Sequence, residues 1–414
     1  MKRIYRIMVG FLLLGGANVH AAQIHGRLEL QDIGAFETAR SLDSHLGYRD
    51  RNDAGANLRL MWRPDWGRWS AGVAYEVSAD YGDSTALAAR LAKSGVFPAA
   101  PPDNWWNLSN RFAHATRLIA TQYIDRLWLG YTTGHLVVRL GRQALTWGSG
   151  LVFHPMDLFN PFAPNAIDTD YKAGTDMAYG QWLFDDGADL QVVVAPRARH
   201  RLGGAPTSNS STYAARFQAA FGAYQTSWLL ARDRGDLMVG IGVNGDLGQA
   251  TWNVEVLPTL VNHGKTYTSL LANISDATTI WGRNVTLFTE YYRNGFGLDA
   301  RRYALINLPA SLRERLLRGQ VFDTGRDYLA VGTKVQCTGL LHINPTLIAN
   351  LDDRSLFGVV QATYSVTEDL NLVIGGQFGV GPANTEFGGL PLLASLPVYE
   401  EQPKEVYVQL RQYF

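Results

Sequence analysis

KEVYVQLRQYF, residues 404–414, alternates its side chains almost without a break. Val406, Val408, Leu410 and Phe414 fall on one face of an extended chain. Glu405, Gln409 and Arg411 fall on the other, and only Gln412 breaks the apolar set. A period of two marks a half-buried β-strand, because successive Cβ atoms point to opposite faces. The fold then turns on whether the rest of the chain repeats this rhythm and on what the apolar faces meet.

The rhythm does recur. In QIHGRLELQ (23–31), Ile24, Gly26, Leu28 and Leu30 oppose His25, Arg27, Glu29 and Gln31. Similar segments lie at 57–63, 69–79, 122–131, 135–145, 176–184, 189–195, 212–221, 224–232, 236–244 and 250–257. The series continues at 266–275, 284–293, 327–337, 342–351, 355–366 and 370–380 before the final strand. The spacing predicts about 18 strands, or about 16 if one hairpin is misjudged. Connection lengths test that count. Taken alternately, one set holds the long segments 37–56, 80–121, 146–175, 196–211, 294–326 and 381–403, with short links at 233–235, 258–265 and 352–354. The other set is short throughout: PDWGR, TTG, DDGA, FGA, GDLGQ, the SDATTIWGR region, TGLL and TED. Such one-sided loop lengths suit an up-and-down barrel with both termini at one rim. They argue against a soluble all-β sandwich. Two of the long connections, near 84–94 and 309–319, carry apolar residues at helical spacing and read as short helices capping loops.

At the start, Lys2, Arg3 and Arg6 precede the apolar run IMVGFLLLGGA and the small-residue pattern VHA at 19–21. This reads as a secretory signal peptide over 1–21, leaving 22–414 as one domain. The run is too short to span a bilayer as a helix, and no later segment reaches the length required. Removing Lys2, Arg3 and Arg6 from the balanced 37 basic and 37 acidic residues leaves 34 against 37, a net charge of −3. That balance carries no electrostatic footprint for nucleic acid. The single cysteine, Cys337, has no partner for an internal disulfide and reads as a small apolar strand residue.

The alternating final strand ending on Phe414, taken with the leader, resembles the C-terminal strand of Gram-negative outer-membrane barrels. The resemblance implies that Phe414 is an assembly signal read by the barrel assembly machinery. Physics gives the reason for closure. In hydrocarbon every amide must be paired, so a sheet survives only without edges. Trp62, Trp69, Tyr75, Trp128, Tyr131, Trp182, Trp228, Trp252, Tyr407, Tyr413 and Phe414 lie near strand ends and are expected in the interfacial aromatic girdles.

Strand charges sit opposite the apolar set, among them Arg27, Glu29, Arg59, Arg126, Arg139, Arg216, Glu255, Glu290, Lys334 and Arg411. Mixed signs facing inward describe a water-lined lumen. The connection TWGSGLVFHPMDLFNPFAPNAIDTDYKAGT (146–175) is the third outside loop. Its glycines and prolines give it a kinked path, and Phe153, Phe159 and Phe162 are candidates to anchor it on the inner wall. GRQALTWGSGLVFHPMDLFNPF with DYKAGTDMAYGQ resembles a GRQ…WG…NP pattern of porin-like outer-membrane β-barrel proteins of Gram-negative bacteria, and covers about 45 residues closely. In general porins the third outside loop folds into the lumen and narrows it. The expected constriction and lumen residues are Arg139, Gln143, Asp157, Asp168, Asp170, Lys172, Asp176, Arg126 and Arg59.

Catalysis is not expected. WGSGL does not match the nucleophile elbow, and Ser149 and His154 share no imposed geometry. Asp168, Asp170 and Asp176 raise calcium, but the glycine falls one position late for an EF-hand, Tyr179 stands at the final ligand position, and Lys172 supplies a salt-bridged alternative. No metal or cofactor is expected. The function that follows is a porin-like channel in the Gram-negative outer membrane for passive diffusion of small polar solutes or ions, with loop 146–175 as constriction. Its partners are outer-membrane lipid, the assembly machinery and small solutes, and a homo-oligomer is left open. Two other readings stand: a barrel for hydrophobic or lipid-like cargo working with a periplasmic export partner, and a plugged structural barrel sealed by loops 80–121 and 294–326.

Overall fold

A computed structural model describes residues 24–94, 104–198, 204–262, 264–393 and 397–414. The expected leader, 1–21, lies outside the described residues. The wall consists of 18 antiparallel strands. They are β1 (His25–Phe36), β2 (Asp50–Trp62), β3 (Trp69–Gly82), β4 (Leu118–Thr132), β5 (Leu136–Gln143), β6 (Thr175–Leu183), β7 (Asp189–Ala195), β8 (Thr212–Phe221) and β9 (Tyr224–Asp233). The remainder are β10 (Asp236–Leu247), β11 (Ala250–Leu260), β12 (Thr266–Ile280), β13 (Arg283–Arg293), β14 (Asp327–Gln336), β15 (Leu341–Asn350), β16 (Ser355–Ser365), β17 (Leu370–Val380) and β18 (Lys404–Tyr413). Every expected strand is present.

The ring closes because β1 pairs with β2 on one edge and with β18 on the other, from Arg27 opposite Tyr413 to Phe36 opposite Lys404. Phe414 completes the seam: its carbonyl accepts from Gly26 N–H at 2.8 Å, and its own N–H donates back to Gly26 at 3.1 Å. Closure leaves no wall strand with an unpaired edge, as an apolar medium demands.

On β18, Val406, Val408 and Leu410 are exposed while Tyr407, Gln409 and Arg411 are buried. The same split runs around the ring, with Leu28, Leu30, Leu230, Ile241, Val331 and Ile374 exposed on the outer face. Apolar-out and polar-in is the reverse of a soluble sandwich. Three expected girdle aromatics point the other way. Trp128 faces inward beside Gly72, where a Cβ would lie 2.3 Å from the indole nitrogen, so only glycine leaves room. Tyr407 is buried within the wall, and Tyr413 bonds to an inward loop.

The expected SDATTIWGR connection is almost all strand. β12 runs to Ile280 and β13 starts at Arg283, so only Trp281 and Gly282 turn, with φ of 50° and 70°. Two successive positive φ values match the strand twist of a tight hairpin. The helices α1 (Leu42–His45), α2 (Asp83–Ser94) and α3 (Ala310–Leu317) lie in the long connections. The first was not anticipated, and the other two fall where the periodicity placed them. A short strand, Ser109–Ala115, extends the wall beside the end of β4. Loops 294–326 and 381–403 pack together through Phe296, Tyr303, Leu308, Leu312 and Leu390.

Candidate functional site

The connection from β5 to β6, residues 144–174, runs inside the barrel. Its first leg is apolar. Trp147, Met156, Leu158 and Phe159 bury themselves against inward side chains of β6–β11, including Met177, Tyr179, Val193, Ala214, Leu229 and Leu257. Trp147 meets Phe159 edge-on at 5.3 Å between centroids and donates its indole N–H to Gln191 at 2.8 Å. Phe153 packs against Tyr292 and Tyr328. The expected anchors Phe153 and Phe159 therefore do touch the wall. Phe162 instead lines a cleft shared with Val321 and Phe322 of loop 294–326.

Two wall carboxylates hold the backbone of this leg. Glu255 on β11 accepts from Ser149 N–H at 2.5 Å. Glu290 on β13 accepts from the N–H groups of Leu151, Val152 and Phe153 at 2.6, 2.9 and 2.8 Å. Amides that no strand pairs thus find charged acceptors, which bind them more strongly than neutral ones. Gly148, with φ of 91°, permits the turn.

Asn160, the Asn of the NP pair, has φ of 52° and ties the two legs together, its amide donating to Ala173 carbonyl at 3.2 Å and Thr175 hydroxyl at 3.1 Å. On the same seam Lys172 pairs with Asp157 and donates to Leu145 carbonyl at 2.7 Å. Burial raises the Asp157 carboxyl against the pull of Lys172. Burial and Lys172 together push His154 down to about 4, so it sits in the loop as a neutral packing residue.

The tip reaches the opposite wall. Asp168 and Asp170 each accept from Arg27 on β1 at 2.7 Å. Asp170 also meets Arg411 on β18 at 3.1 Å. Between them the Tyr171 ring lies 5.0 Å from the Arg27 guanidinium and 4.4 Å from that of Arg59 on β2. Burial raises Asp168, but the hydrogen bond and charge of Arg27 outweigh it and hold the carboxyl below its usual range. The ring of strands gives this path its meaning. β11 and β2 are nine strands apart in either direction around 18, and so are β13 and β4. The loop is anchored at both ends of two such diameters, so it crosses the lumen.

β4 supplies its anchor through an irregularity. Tyr75 pairs with Ile124 and Ala74 with Arg126, so Asp125 is an extra residue. A bulge of this kind re-aims side chains. Asp125 accepts from Arg59 at 2.5 Å and from Gly174 N–H at 2.9 Å, while Arg126 binds Lys172 carbonyl. A Cβ on Gly174 would lie 2.2 Å from Asp125 carbonyl, so the close approach requires glycine.

Of the expected site residues, Asp157, Asp168, Asp170, Lys172, Arg126 and Arg59 converge on this loop. Arg139 and Gln143 face inward on β5, Arg139 lying 5.0 Å over Trp128. Asp176 does not join them. It pairs across strands with Arg142, while its neighbours Thr175 and Met177 pair with Gln143 and Gly141. Met177 packs in the lumen cluster, so Asp176 and Arg142 face outward. There Arg142 binds Asp176 at 2.7 Å, and Asp176 accepts from the N–H groups of Trp105 and Trp106 at 3.0 and 2.7 Å. The correction has a simple cause. Asp176 is the second residue of β6, and strand parity sends it opposite to Thr175. Arg27, Glu255, Glu290 and Arg411, which the alternation put inside the lumen, also belong to the site, but only the loop path shows what they hold. Asp125, Tyr171 and Tyr413 belong to it as well and were not expected there.

No protein-family profile matches the chain, and no curated protein matches it in sequence. Solved structures do. The chain is similar to a BenF-like porin from Pseudomonas fluorescens Pf-5, with TM-score 0.56 at 9% identity over 96% of this chain and 100% of that one. It is similar to Acinetobacter baumannii OccAB2, with TM-score 0.53 at 11% identity over 96% and 99%. Pseudomonas aeruginosa OccK5 (OpdH) gives TM-score 0.53 at 7% identity over 95% and 98%. The chain shares the fold of these structures, a closed antiparallel β-barrel. At such identities the likeness speaks for the fold. The chain's outer face carries the apolar belt that a barrel needs to meet lipid. Its three acids 168, 170 and 176 do not gather around a common point. The first two bind Arg27, and the third binds Arg142 on the other face of the wall.

Proposed function

We propose that the barrel is a channel for passive diffusion of small polar solutes, with loop 144–174 as its constriction. The observation that carries this reading is the diametric anchoring of the loop, from Glu255 and Glu290 on one side to Arg27, Arg59 and Asp125 on the other. A segment tied to both walls narrows the lumen at a fixed place without depending on its own flexibility. An 18-stranded barrel is wide enough to leave water beside it. Arg139 and Gln143 lie on the lumen wall where a solute would pass them.

The experiment is single-channel conductance in a planar bilayer, comparing wild type with a variant lacking residues 155–170. Steady conductance that rises on deletion supports a constriction. A silent wild type that conducts only after deletion supports the plugged barrel instead. One observation favours that second reading: the apolar first leg fills the lumen along β6–β11, and Phe387 of loop 381–403 joins the apolar cluster of Phe153. Phe414, exposed on the outer face over Gly26, is available as the mark by which the assembly machinery selects its client.

A further inference from the structure

The exposed side of the loop tip is acidic, and the bases lie beneath it. The side chains of Arg27 and Arg411 are 3% and 7% exposed, whereas those of Asp168 and Asp170 are 31% and 26% exposed. Farther along the same belt Arg59 is 3% exposed, clasped by Glu76 and Asp125 at 2.5 Å each. Four arginines of the belt (27, 59, 126 and 411) face five carboxylates, Glu29, Glu76 and Asp125 from the wall and Asp168 and Asp170 from the loop. Arg63, four residues beyond Arg59 and within electrostatic reach of Arg126, brings the bases level with the acids, so what sets the local sign is which groups are exposed at the tip. A solute moving past the tip therefore meets carboxylate edges first, and the guanidiniums act on it only through a layer of opposite charge. Water and salt screen whatever field escapes such pairs over about 10 Å at 0.1 M.

We propose that Asp168 and Asp170 form an acidic cover over buried arginines, so that the passage beside the loop tip admits small cations and neutral polar solutes ahead of anions. This deepens, and rests on, the reading of the barrel as a channel. A single charge at close range in water changes local ion concentration about fivefold. Arginines directly beneath cancel part of that effect, and the expected permeability ratio of K+ over Cl− is about 2.

The test is the reversal potential of the intact barrel in a tenfold KCl gradient. Wild type is expected to favour K+, and the double variant Asp168→Asn with Asp170→Asn, which uncovers Arg27 and Arg411, is expected to favour Cl−. A wild type that favours Cl− overturns the proposal, as does a double variant with wild-type conductance and an unmoved ratio. If the double variant conducts like the loop deletion, its loop has left the lumen. The single variant Asp168→Asn, which keeps Asp170 on Arg27, Arg411 and Tyr413, is then read: a reduced preference for K+ supports the proposal and an unchanged one overturns it. Absence of current from both wild type and the loop deletion defeats the channel reading itself, an outcome separate from all of these.

Discussion

The carboxylate of Asp170 accepts a 2.6 Å hydrogen bond from the hydroxyl of Tyr413, the last residue of the last strand. The same carboxylate holds Arg27 on β1 and Arg411 on β18, the two strands whose pairing closes the barrel. A loop that begins at β5 thus clamps the seam where the ends of the wall meet. Asp170→Ala should leave Arg27 and Arg411 short of a partner and lower unfolding stability by about 1–3 kcal/mol. Tyr413→Phe should cost about 1 kcal/mol, because it removes one hydrogen bond and leaves the charges paired. Urea unfolding in detergent, followed by tryptophan fluorescence, ranks the two. Equal midpoints for Asp170→Ala and wild type would show that the clamp adds nothing to closure.

At the opposite wall, Glu290 gathers three consecutive amides of the loop and a 3.0 Å bond from Asn273. Glu290→Ala should strand those amides while leaving the strand ladder intact, since the ladder uses backbone groups alone. The expected outcome is unchanged far-ultraviolet circular dichroism with a larger and noisier conductance. A Glu290→Gln variant keeps an acceptor and should fall between the two. Conductance traces identical to wild type would mean that the apolar first leg holds the loop by itself.

Much of this architecture is legible before any coordinates, and the rest is hidden for identifiable reasons. Alternation and one-sided loop lengths locate all 18 strands, because burial on one face of a strand imposes a period of two. The lumen placement of Arg27, Arg59, Glu255, Glu290 and Arg411 follows from the same parity. Asp125 escapes because a bulge inserts a residue out of phase with the alternation. Asp176 misleads because it directly follows a loop rich in acids, whereas strand parity places it on the outer face of β6. The loop's function as a crossbar is also invisible in sequence. It depends on which strands stand opposite each other, and that is a property of the closed ring.

The outward pair Arg142 and Asp176 separates a structural from a lumenal part for the aspartate. Both side chains are buried beneath Trp105 and Trp106, whose amides Asp176 receives. Removing one partner of a buried ion pair leaves an uncompensated charge and costs about 3–5 kcal/mol. Asp176→Ala should therefore reduce folded yield and unfolding stability sharply while leaving the reversal potential of the surviving channels where it was. An altered ion preference at normal stability would place Asp176 on the ion path after all.

Glu37 makes the cap between loops 37–49 and 381–403 sensitive to pH. The loops join where Arg40 meets Glu401 at 2.6 Å and Tyr399 N–H donates to Arg40 carbonyl at 3.0 Å. Burial, opposed by Arg51 and aided by Asp43, pushes the Glu37 carboxyl up to about 7. Glu37 therefore favours the docked cap while protonated. Its contribution is complete below the ordinary glutamate value of 4.5, is lost as pH climbs through about 7, and changes little above that. Spin labels on cysteines replacing Ser44 and Val398, with Cys337→Ser to remove the native thiol, should report a single short distance at pH 5 and a broader distribution at pH 8. Glu37→Gln should abolish the change, since an amide keeps the uncharged form at every pH. A distribution equally narrow at both pH values in the native cap would mean that Arg51 neutralises Glu37 at every pH and that the cap does not loosen with pH.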